Sequence, residues 1–279
     1  MASGLSRKIF RPRAEAAGGP ERSIAWRVNA ERLTLIGWSR AILLQLAHPL
    51  VAAGVAEHSS FREGRLTAAV RLHHTVHAML ALTFGSDAAR ADALARINAI
   101  HRRVNGRLTE GAGAFAAGTP YSAEDPALLL WVHATLLESI PLVYERLVEP
   151  LSEAERDRYC SEAAPIVRAL GVRDGEPHSW SDMRRYVEQM HATGQIVVGR
   201  DARDLAEAVL APPFSWAIAP AAHVNRLFTI GLLPPFLRDQ YGFSWTAADE
   251  RALNRWTHLL RRARPWLPNR LALWSQARQ

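Results

Sequence analysis

Cysteine and lysine are nearly absent from this sequence. Of its 279 residues, one is cysteine, Cys160, and one is lysine, Lys8. A single cysteine excludes an intramolecular disulfide and a zinc site built from cysteines, and it is typical of proteins from a reducing compartment. We therefore expect a cytoplasmic protein.

The sequence also lacks the motifs of several enzyme classes. It contains no Walker loop, no G-x-G-x-x-G dinucleotide fingerprint and no G-x-S-x-G elbow. No Glu or Asp stands three residues before His73, His74, His77, His101 or His133, so the Glu-x-x-His pairs of helical di-iron proteins are missing. Nucleotide-dependent, serine-hydrolase and di-iron chemistry therefore have no support in the sequence.

Alternating apolar and polar residues do not extend far enough anywhere to predict a β-sheet, and charged residues or proline interrupt every long apolar run. Helical periodicity instead predicts an all-α protein with a single globular multi-helix domain over residues 23–279. Within it, residues 23–47, 181–192 and 201–210 are each predicted to be helical, and the capping box Ser152-x-x-Glu155 and Gly171 predict the start and the end of another helix. Residues 1–22 are expected to form a flexible arm, because residues 17–20 read Ala-Gly-Gly-Pro where a signal peptide needs an apolar core. We expect no transmembrane segment.

The basic excess consists of arginine. The formal net charge is +7, and the arginines stand in predicted helices beside Glu and Asp. This distribution favours solvated helix faces and argues against a nucleic-acid partner, which needs basic residues clustered on one face. A peripheral contact with acidic partners or a membrane surface is the functional alternative.

A polar constellation lies on a predicted helix over Arg65–Phe84. Arg71, His74 and Thr75 are spaced i, i+3 and i+4, which brings a cation, an imidazole and a hydroxyl onto one arc of the helix. A core helix has no structural use for this combination. The pattern therefore indicates a binding or catalytic site.

The next helix is predicted to present His101 to the interior. The sequence from Asp87 to Leu108 is interpreted as one helix, and His101 fills a gap in its apolar stripe of Leu94, Ile97, Val104 and Leu108. A buried imidazole needs a partner, because an unpaired buried polar group costs about 1–3 kcal/mol. That partner is either a carbonyl or side chain nearby, or a metal.

Two further residues are candidates for the same site. His133 lies in the nearly continuous apolar segment Leu128–Tyr144, so it is either a rival iron ligand or a hydrogen-bond donor to a neighbouring helix. Glu57 precedes His58 just before the motif helix. It either acts as a general base or terminates the preceding helix.

Two segments are candidates for access to a pocket. The loop from Gly106 to Pro120 is rich in Gly and Ala and is expected to be a flexible lid. The apolar stretch from Phe214 to Leu237 either packs in the core or forms a hydrophobic substrate entrance.

Several strings of residues occur in a fixed order over most of the chain, from about Trp26 to about Trp274. They are Arg40–Pro49, Glu57–Arg62, Arg71-Leu72-x-x-Thr75, Phe84-Gly85, His101–Gly106, Tyr121–Pro126 and Trp131–Ala134. This set resembles the MpaB and rubber-oxygenase (latex-clearing protein) family. The resemblance implies a helical fold around one haem b, and an oxygenase that uses dioxygen to cleave carbon–carbon double bonds of isoprenoid, hence hydrophobic small-molecule or polyprenyl, substrates.

The resemblance also implies roles for individual residues. In that family a helical histidine that follows an Arg-x-x-Lys-Thr motif is the proximal haem ligand, and the matching residue here is His101. Arg71 and Thr75 are then expected to hold the haem. The family also uses a glutamate near the haem as a base, and Glu57 is either that residue or a residue of the cap and turn that end its helix. His74 replaces the family's lysine. It is expected either to ligate the iron on the distal side or to pack against a neighbouring helix.

The residues alone also leave two other functions open. A haem protein with two histidine ligands can be a sensor or carrier without catalytic activity. A helical protein without the cofactor can be purely structural.

Overall fold

The computed structural model describes the backbone of residues 23–58, 65–210 and 219–278, and the side chains within these ranges except those of 65–74 and 219–220. The predicted arm over residues 1–22 lies outside the described residues. The α-helices are α1 (Ile24–Ala30), α2 (Leu35–Leu46), α3 (Pro49–His58), α4 (Arg65–Phe84), α5 (Asp87–His101), α6 (Pro126–Leu147), α7 (Glu153–Leu170), α8 (Trp180–Ala192), α9 (Arg200–Leu210), α10 (Ala219–Gly231), α11 (Pro235–Tyr241), α12 (Ala247–Ala263) and α13 (Asn269–Ala272).

The prediction of an all-α fold is confirmed, with one small exception. Asn105–Arg107 (β1) pairs antiparallel with Pro120–Ser122 (β2), and Gly106 lies opposite Tyr121. Short 3₁₀ turns occur at Arg32–Thr34, Arg264–Trp266 and Gln276–Arg278. Strands of this length are too short to leave an alternating pattern in the sequence, which is why they were not predicted.

Helices α2 and α6 form the centre of the core. They approach so closely at Gly37 that a Cβ atom there would lie 2.7 Å from the Ser139 carbonyl oxygen. α6 begins where Asp125 accepts a hydrogen bond from the Ala127 amide, with Pro126 in the first turn. By length and composition α6 could cross a membrane, but 72% of its most apolar window is buried here. Its apolar character is therefore accounted for by packing.

The predicted single helix over residues 23–47 is wrong. The chain leaves helical geometry at Glu31, where ψ is 123°, and continues through a 3₁₀ turn into α2. Glu31 is buried, and its carboxylate forms a bidentate pair with Arg264. This pairing spans more than two hundred residues, so no local pattern could have revealed it. The apolar segment Arg32–Leu46 is followed by α3, and the two segments meet at residues 47–48 at an angle of 104°.

The second half follows the predicted helix boundaries. The capping box of Ser152 and Glu155 starts α7, and Gly171, with φ of 124°, ends it. The helices predicted at 181–192 and 201–210 each begin one residue earlier than expected. Local capping signals therefore predict this region well.

Helices α4 and α5 form an antiparallel helical hairpin with a two-residue turn. Ser86 caps α5 by accepting a hydrogen bond from the Ala89 amide. The prediction that α5 continues to Leu108 is wrong, because the helix ends at His101 and the chain enters β1. Val104 and Leu108 pack instead in a cluster with Leu50, Ala53, Tyr121 and Leu128. The four apolar residues from which His101 was predicted to point inward therefore lie partly in α5 and partly in the chain after it.

Candidate active site

Glu57, in the last turn of α3, is held by the β1–β2 hairpin. The Tyr121 hydroxyl donates a hydrogen bond to Oε2 of Glu57. A Cβ atom on Gly106, the cross-strand partner of Tyr121, would lie 2.5 Å from that hydroxyl and 2.9 Å from Oε2. Only glycine fits beneath this pair without displacing it. The Glu57 side chain is still 41% exposed, so the carboxylate is fixed on one side and accessible on the other.

His58 joins the same helix end to the same hairpin. Its Nε2 lies 2.9 Å from the Asn105 carbonyl oxygen, so this nitrogen carries the proton and donates to it. Its distance to Oε2 of Glu57 is 4.0 Å. Glu57 and His58 are thus anchored to opposite strands, which fixes the direction in which the carboxylate points.

Tyr121 was missed as a site residue at the level of sequence. It appears there only as part of a motif, and nothing in the local pattern connects it with Glu57, 64 positions earlier. The usable signal was the pairing of a glycine with an aromatic residue, since an aromatic side chain often covers a strand glycine. Burial raises the pKa of the Tyr121 hydroxyl, and the bond to Glu57 adds to the shift, so it remains a proton donor.

His101 is the last residue of α5 and is half-buried. Its Nδ1 is buried and has no hydrogen-bond partner among the described residues. Burial lowers the pKa of the imidazole, partly opposed by the carboxylate of Glu124. A neutral imidazole with an unsatisfied buried nitrogen has the chemistry of a haem ligand, because ligation needs the unprotonated ring.

Helix geometry relates the Arg71 motif to His101. α4 and α5 pack on each other and are joined by a two-residue turn at 85–86, so an antiparallel pair in contact along its whole length would bring the end of α5 beside the part of α4 near residue 70. Thr75, one turn further along α4, is exposed. The side chains of Arg71 and His74 lie outside the described residues. The backbone therefore supports the proximity of motif and histidine, while the direction of these two side chains remains a prediction.

His133, the rival ligand, occupies a different environment. It lies in the N-terminal half of α6 and is 8% exposed, as the sequence predicted for a core residue. Its Nε2 also lacks a partner among the described residues, and burial lowers its pKa to about 4, opposed by Glu176. It belongs to α6, which packs against α7 and α8. Among the described residues, no three His, Cys, Asp or Glu side chains come together as a metal site.

The predicted lid is bonded to itself and to its neighbours. The Leu108 amide donates to the Thr119 carbonyl, and the Ala114 amide donates to the Gly194 carbonyl between α8 and α9. The loop forms one wall of a cavity of about 400 Å³ that is closed by α3 and by the start of α9. Its lining includes the acidic side chains of Glu110 and Asp201.

Comparison with known proteins identifies the family of the chain. Residues 26–262 match the family model described as "ER-bound oxygenase mpaB/B'/Rubber oxygenase, catalytic domain". Two uncharacterized proteins, one from Mycobacterium bovis and one from Mycobacterium tuberculosis, are each 26% identical to the chain over 234 residues, which cover 82% of this chain and 88% of theirs. No solved structure matches it significantly. The chain therefore belongs to the family of mpaB and rubber-oxygenase catalytic domains and is an enzyme of the oxygenase class.

Proposed function

We propose that the protein is a haem b-dependent oxygenase that uses dioxygen to oxidise or cleave carbon–carbon double bonds of a hydrophobic, isoprenoid-like substrate. The observation that carries the proposal is the buried Nδ1 of His101, which has no partner among the described residues and lies at the end of the helix that follows the Arg71 motif. Family membership supports the reaction class. The haem, its ligand and the substrate are the parts that the proposal adds.

Four residues would hold the cofactor. His101 is the proposed proximal ligand, and its burial keeps the ring neutral at physiological pH. Arg71 and Thr75 on α4 match the family's haem-binding motif, and a guanidinium suits a propionate because it can donate two parallel hydrogen bonds. His74 is the proposed distal residue. A bound haem would supply the iron that binds dioxygen.

Glu57 is the proposed general base. Its Oε2 accepts the Tyr121 hydrogen bond, and Oε1 has no hydrogen-bond partner among the described residues. A base must lie within hydrogen-bond reach of the proton that it removes, and a fixed, solvent-accessible carboxylate meets this condition. Tyr121, Gly106 and the His58 bond to Asn105 position it. Glu57 therefore keeps one oxygen available to accept a proton from the substrate.

Haem titration of two variants tests the cofactor assignment. We expect the purified protein to bind haemin stoichiometrically with a Soret band, His101→Ala to lose this binding, and His133→Ala to retain most of it. Both variants remove one half-buried or buried imidazole, so His133→Ala is the matched control for loss of packing. Loss in His133→Ala alone would move the ligand to α6. A protein that takes up no haemin at all would contradict the proposal.

Oxygen uptake separates an oxygenase from a sensor or carrier. The haem-loaded protein is expected to consume dioxygen in step with the loss of a short polyprenyl substrate, and Glu57→Gln is expected to slow this reaction while retaining haem. A haem-loaded protein that binds dioxygen and leaves every polyprenyl probe intact would favour the sensor or carrier instead.

A further inference from the structure

The excess positive charge of the protein is concentrated in its last 29 residues. Residues 251–279 contain seven arginines and no Asp or Glu, whereas residues 1–250 contain 27 basic and 27 acidic side chains. The first interpretation, that the arginines lie evenly beside acidic residues, is therefore wrong for this segment. Six of the seven are exposed and form no ion pair with any described residue: Arg251, Arg255, Arg261, Arg262, Arg270 and Arg278.

The same segment carries most of the exposed large hydrophobic side chains. Six are exposed among the described residues, and four of them lie between positions 259 and 271. These are Leu259 (55% exposed), Trp266 (87%), Leu267 (38%) and Leu271 (56%). Scattered apolar residues on a surface are ordinary, but a cluster of this kind marks an interaction site.

Arginine and apolar side chains alternate on one face of this segment, which we call the C-terminal surface (residues 255–271). The spacing of Arg255, Leu259, Arg262 and Trp266 is four, three and four residues, which places them on one arc of α12 and the turn after it. The opposite arc contains Leu253, which is buried in the core with Trp256 and Leu260 packed against the same cluster. The exposed arc therefore belongs to a helix that is already packed on its other side.

The C-terminal surface is attached to the N-terminal part of the fold by long-range contacts. Arg264, between Leu259 and Trp266, is the partner of buried Glu31. The Trp274 amide donates to the Ala30 carbonyl at 3.0 Å, and the Arg32 guanidinium lies over the Trp274 ring. The segment is thus attached to α1 and the following turn. The exposure of Trp266 is a property of the folded surface.

We propose that the C-terminal surface binds the headgroup region of an anionic lipid bilayer. Tryptophan and arginine side by side are typical of that environment, because the indole prefers the membrane interface and basic side chains are attracted to anionic headgroups. A symmetric contact with a second copy is disfavoured, because it would bring two sets of unpaired arginines together. α12 packs on α6 and α10, whereas Glu57 is held by α3 and the β1–β2 hairpin. The proposed binding therefore uses none of the residues assigned to the haem or to the proposed reaction.

Vesicle sedimentation of the full chain tests the charge requirement. We expect binding to phosphatidylcholine vesicles that contain about one third phosphatidylglycerol, and little binding to phosphatidylcholine alone. Arg261→Gln with Arg262→Gln should weaken partitioning about 30-fold at low ionic strength, and added salt should weaken binding of the unmodified protein. The matched control is Arg184→Gln with Arg185→Gln on α8, which removes the same charge from arginines that are paired with Glu188 and Asp182.

Fluorescence tests the insertion of Trp266. Lipids brominated in the upper acyl chain should quench part of the protein emission, and Trp266→Phe should remove that part while leaving the emission of the buried tryptophans. Trp266→Ala with Leu271→Ala should reduce binding without lowering the melting temperature, because both side chains are exposed. Circular dichroism checks that each variant is folded.

Any one of several outcomes would overturn the proposal. They are equal binding to neutral and anionic vesicles, equal effects of the α8 and C-terminal variants, and self-association that the Trp266→Ala, Leu271→Ala variant abolishes while vesicles are not bound. Preferential binding to a duplex oligonucleotide over anionic vesicles would likewise overturn it. None of these measurements uses haem, so a failure here leaves the proposed oxygenase activity to be judged by the haem titration.

Discussion

The α2–α6 core and the α3–hairpin region (α3, β1 and β2) differ in how completely their polar side chains are hydrogen-bonded. In the core, Arg40 is 3% exposed, and it donates to the Leu232 carbonyl, to Glu138 and to Ser139 at 2.7, 3.1 and 2.6 Å. In the α3–hairpin region, Glu57 retains 41% exposure. At the end of α5, His101 keeps a buried nitrogen that has no partner among the described residues.

The free energy of a buried polar side chain depends on whether its hydrogen bonds are complete. A buried cation is tolerated when its hydrogen bonds are complete, and Arg40 joins α2 to α6 and to the end of α10 in this way. An unpaired buried nitrogen costs stability, and His48 and His133 each carry one, as His101 does. Arg40 therefore serves the fold, while the exposed carboxylate of Glu57 and the unpaired nitrogen of His101 support the roles proposed for these two residues.

The largest effect is expected from breaking the core network. Arg40→Leu leaves the Glu138 carboxylate without its partner and should lower the free energy of unfolding by about 3–5 kcal/mol, measured by urea denaturation. Arg27→Leu, which removes a more exposed partner of Glu155, should cost at most about 1 kcal/mol of ion-pair energy. Glu138→Gln combined with Arg40→Leu should recover part of the loss. Equal losses in the Arg40 and Arg27 variants would contradict the structural role.

The second largest effect is expected on haem binding. Arg71→Ala should weaken haem retention about 30-fold, because a desolvated propionate would lose a charged hydrogen-bond donor. Titration with haemin at low concentration measures it. The exposed Arg96 on α5 provides the control, since Arg96→Ala removes the same charge from the neighbouring helix. Unchanged haem affinity in Arg71→Ala would remove this residue from the cofactor site.

His48 is expected to lower the free energy of unfolding by about 2 kcal/mol on acidification. Its side chain is 2% exposed, and its Nδ1 has no partner among the described residues. Burial lowers its pKa to about 4, so the unfolded chain binds the proton more tightly than the folded protein does. The contribution of His48 to stability is therefore constant above pH 6.5 and falls as the pH drops from 6.5 towards 4. Between pH 7.5 and pH 5 the loss is about 2 kcal/mol.

The His48→Gln variant checks the assignment of this slope. Urea unfolding at a series of pH values should show a shallower decline below pH 6.5 in His48→Gln than in the unmodified protein. The exposed His223 gives the matched variant, His223→Gln, which should leave the slope unchanged. If both variants gave the original slope, His48 would not be the titrating group.

The smallest effect on stability and the most informative one on chemistry are expected at Tyr121. Tyr121→Phe removes one hydrogen bond and should cost about 1 kcal/mol. It should lower kcat for polyprenyl oxidation with little change in KM and shift the pH profile, because Glu57 loses the group that holds it. Gly106→Ala should act in the same direction, since its Cβ would displace the hydroxyl.

The Tyr121 prediction also has a matched control. Tyr159 is buried in the core, where its hydroxyl accepts a 3.5 Å hydrogen bond from Asn29. Tyr159→Phe should leave kcat and its pH profile unchanged. Parallel losses of activity in both tyrosine variants would show that Tyr121 acts through stability alone.

Local signals determined much of the helical framework. The capping residues Ser152 and Asp125, the C-terminal Gly171 and the apolar segment around His133 predicted helix starts, a helix end and burial, because each depends on neighbours a few residues away. The sequence also placed Arg71, His74 and Thr75 on one helix. The basic C-terminal segment is likewise a property of the sequence, since a count of charges along the chain is enough to locate it.

Contacts between distant segments decided the rest. The break at Glu31 requires Arg264, the end of α5 at His101 requires β1 to pair with β2, and the fixed position of Glu57 requires the Tyr121 hydroxyl. Each joins residues whose separation in sequence carries no periodic signal. A helix pattern records the free energy of local turns and of one buried face, whereas the direction of a single carboxylate or imidazole depends on which distant group lies opposite it, and that is decided only when the chain has packed.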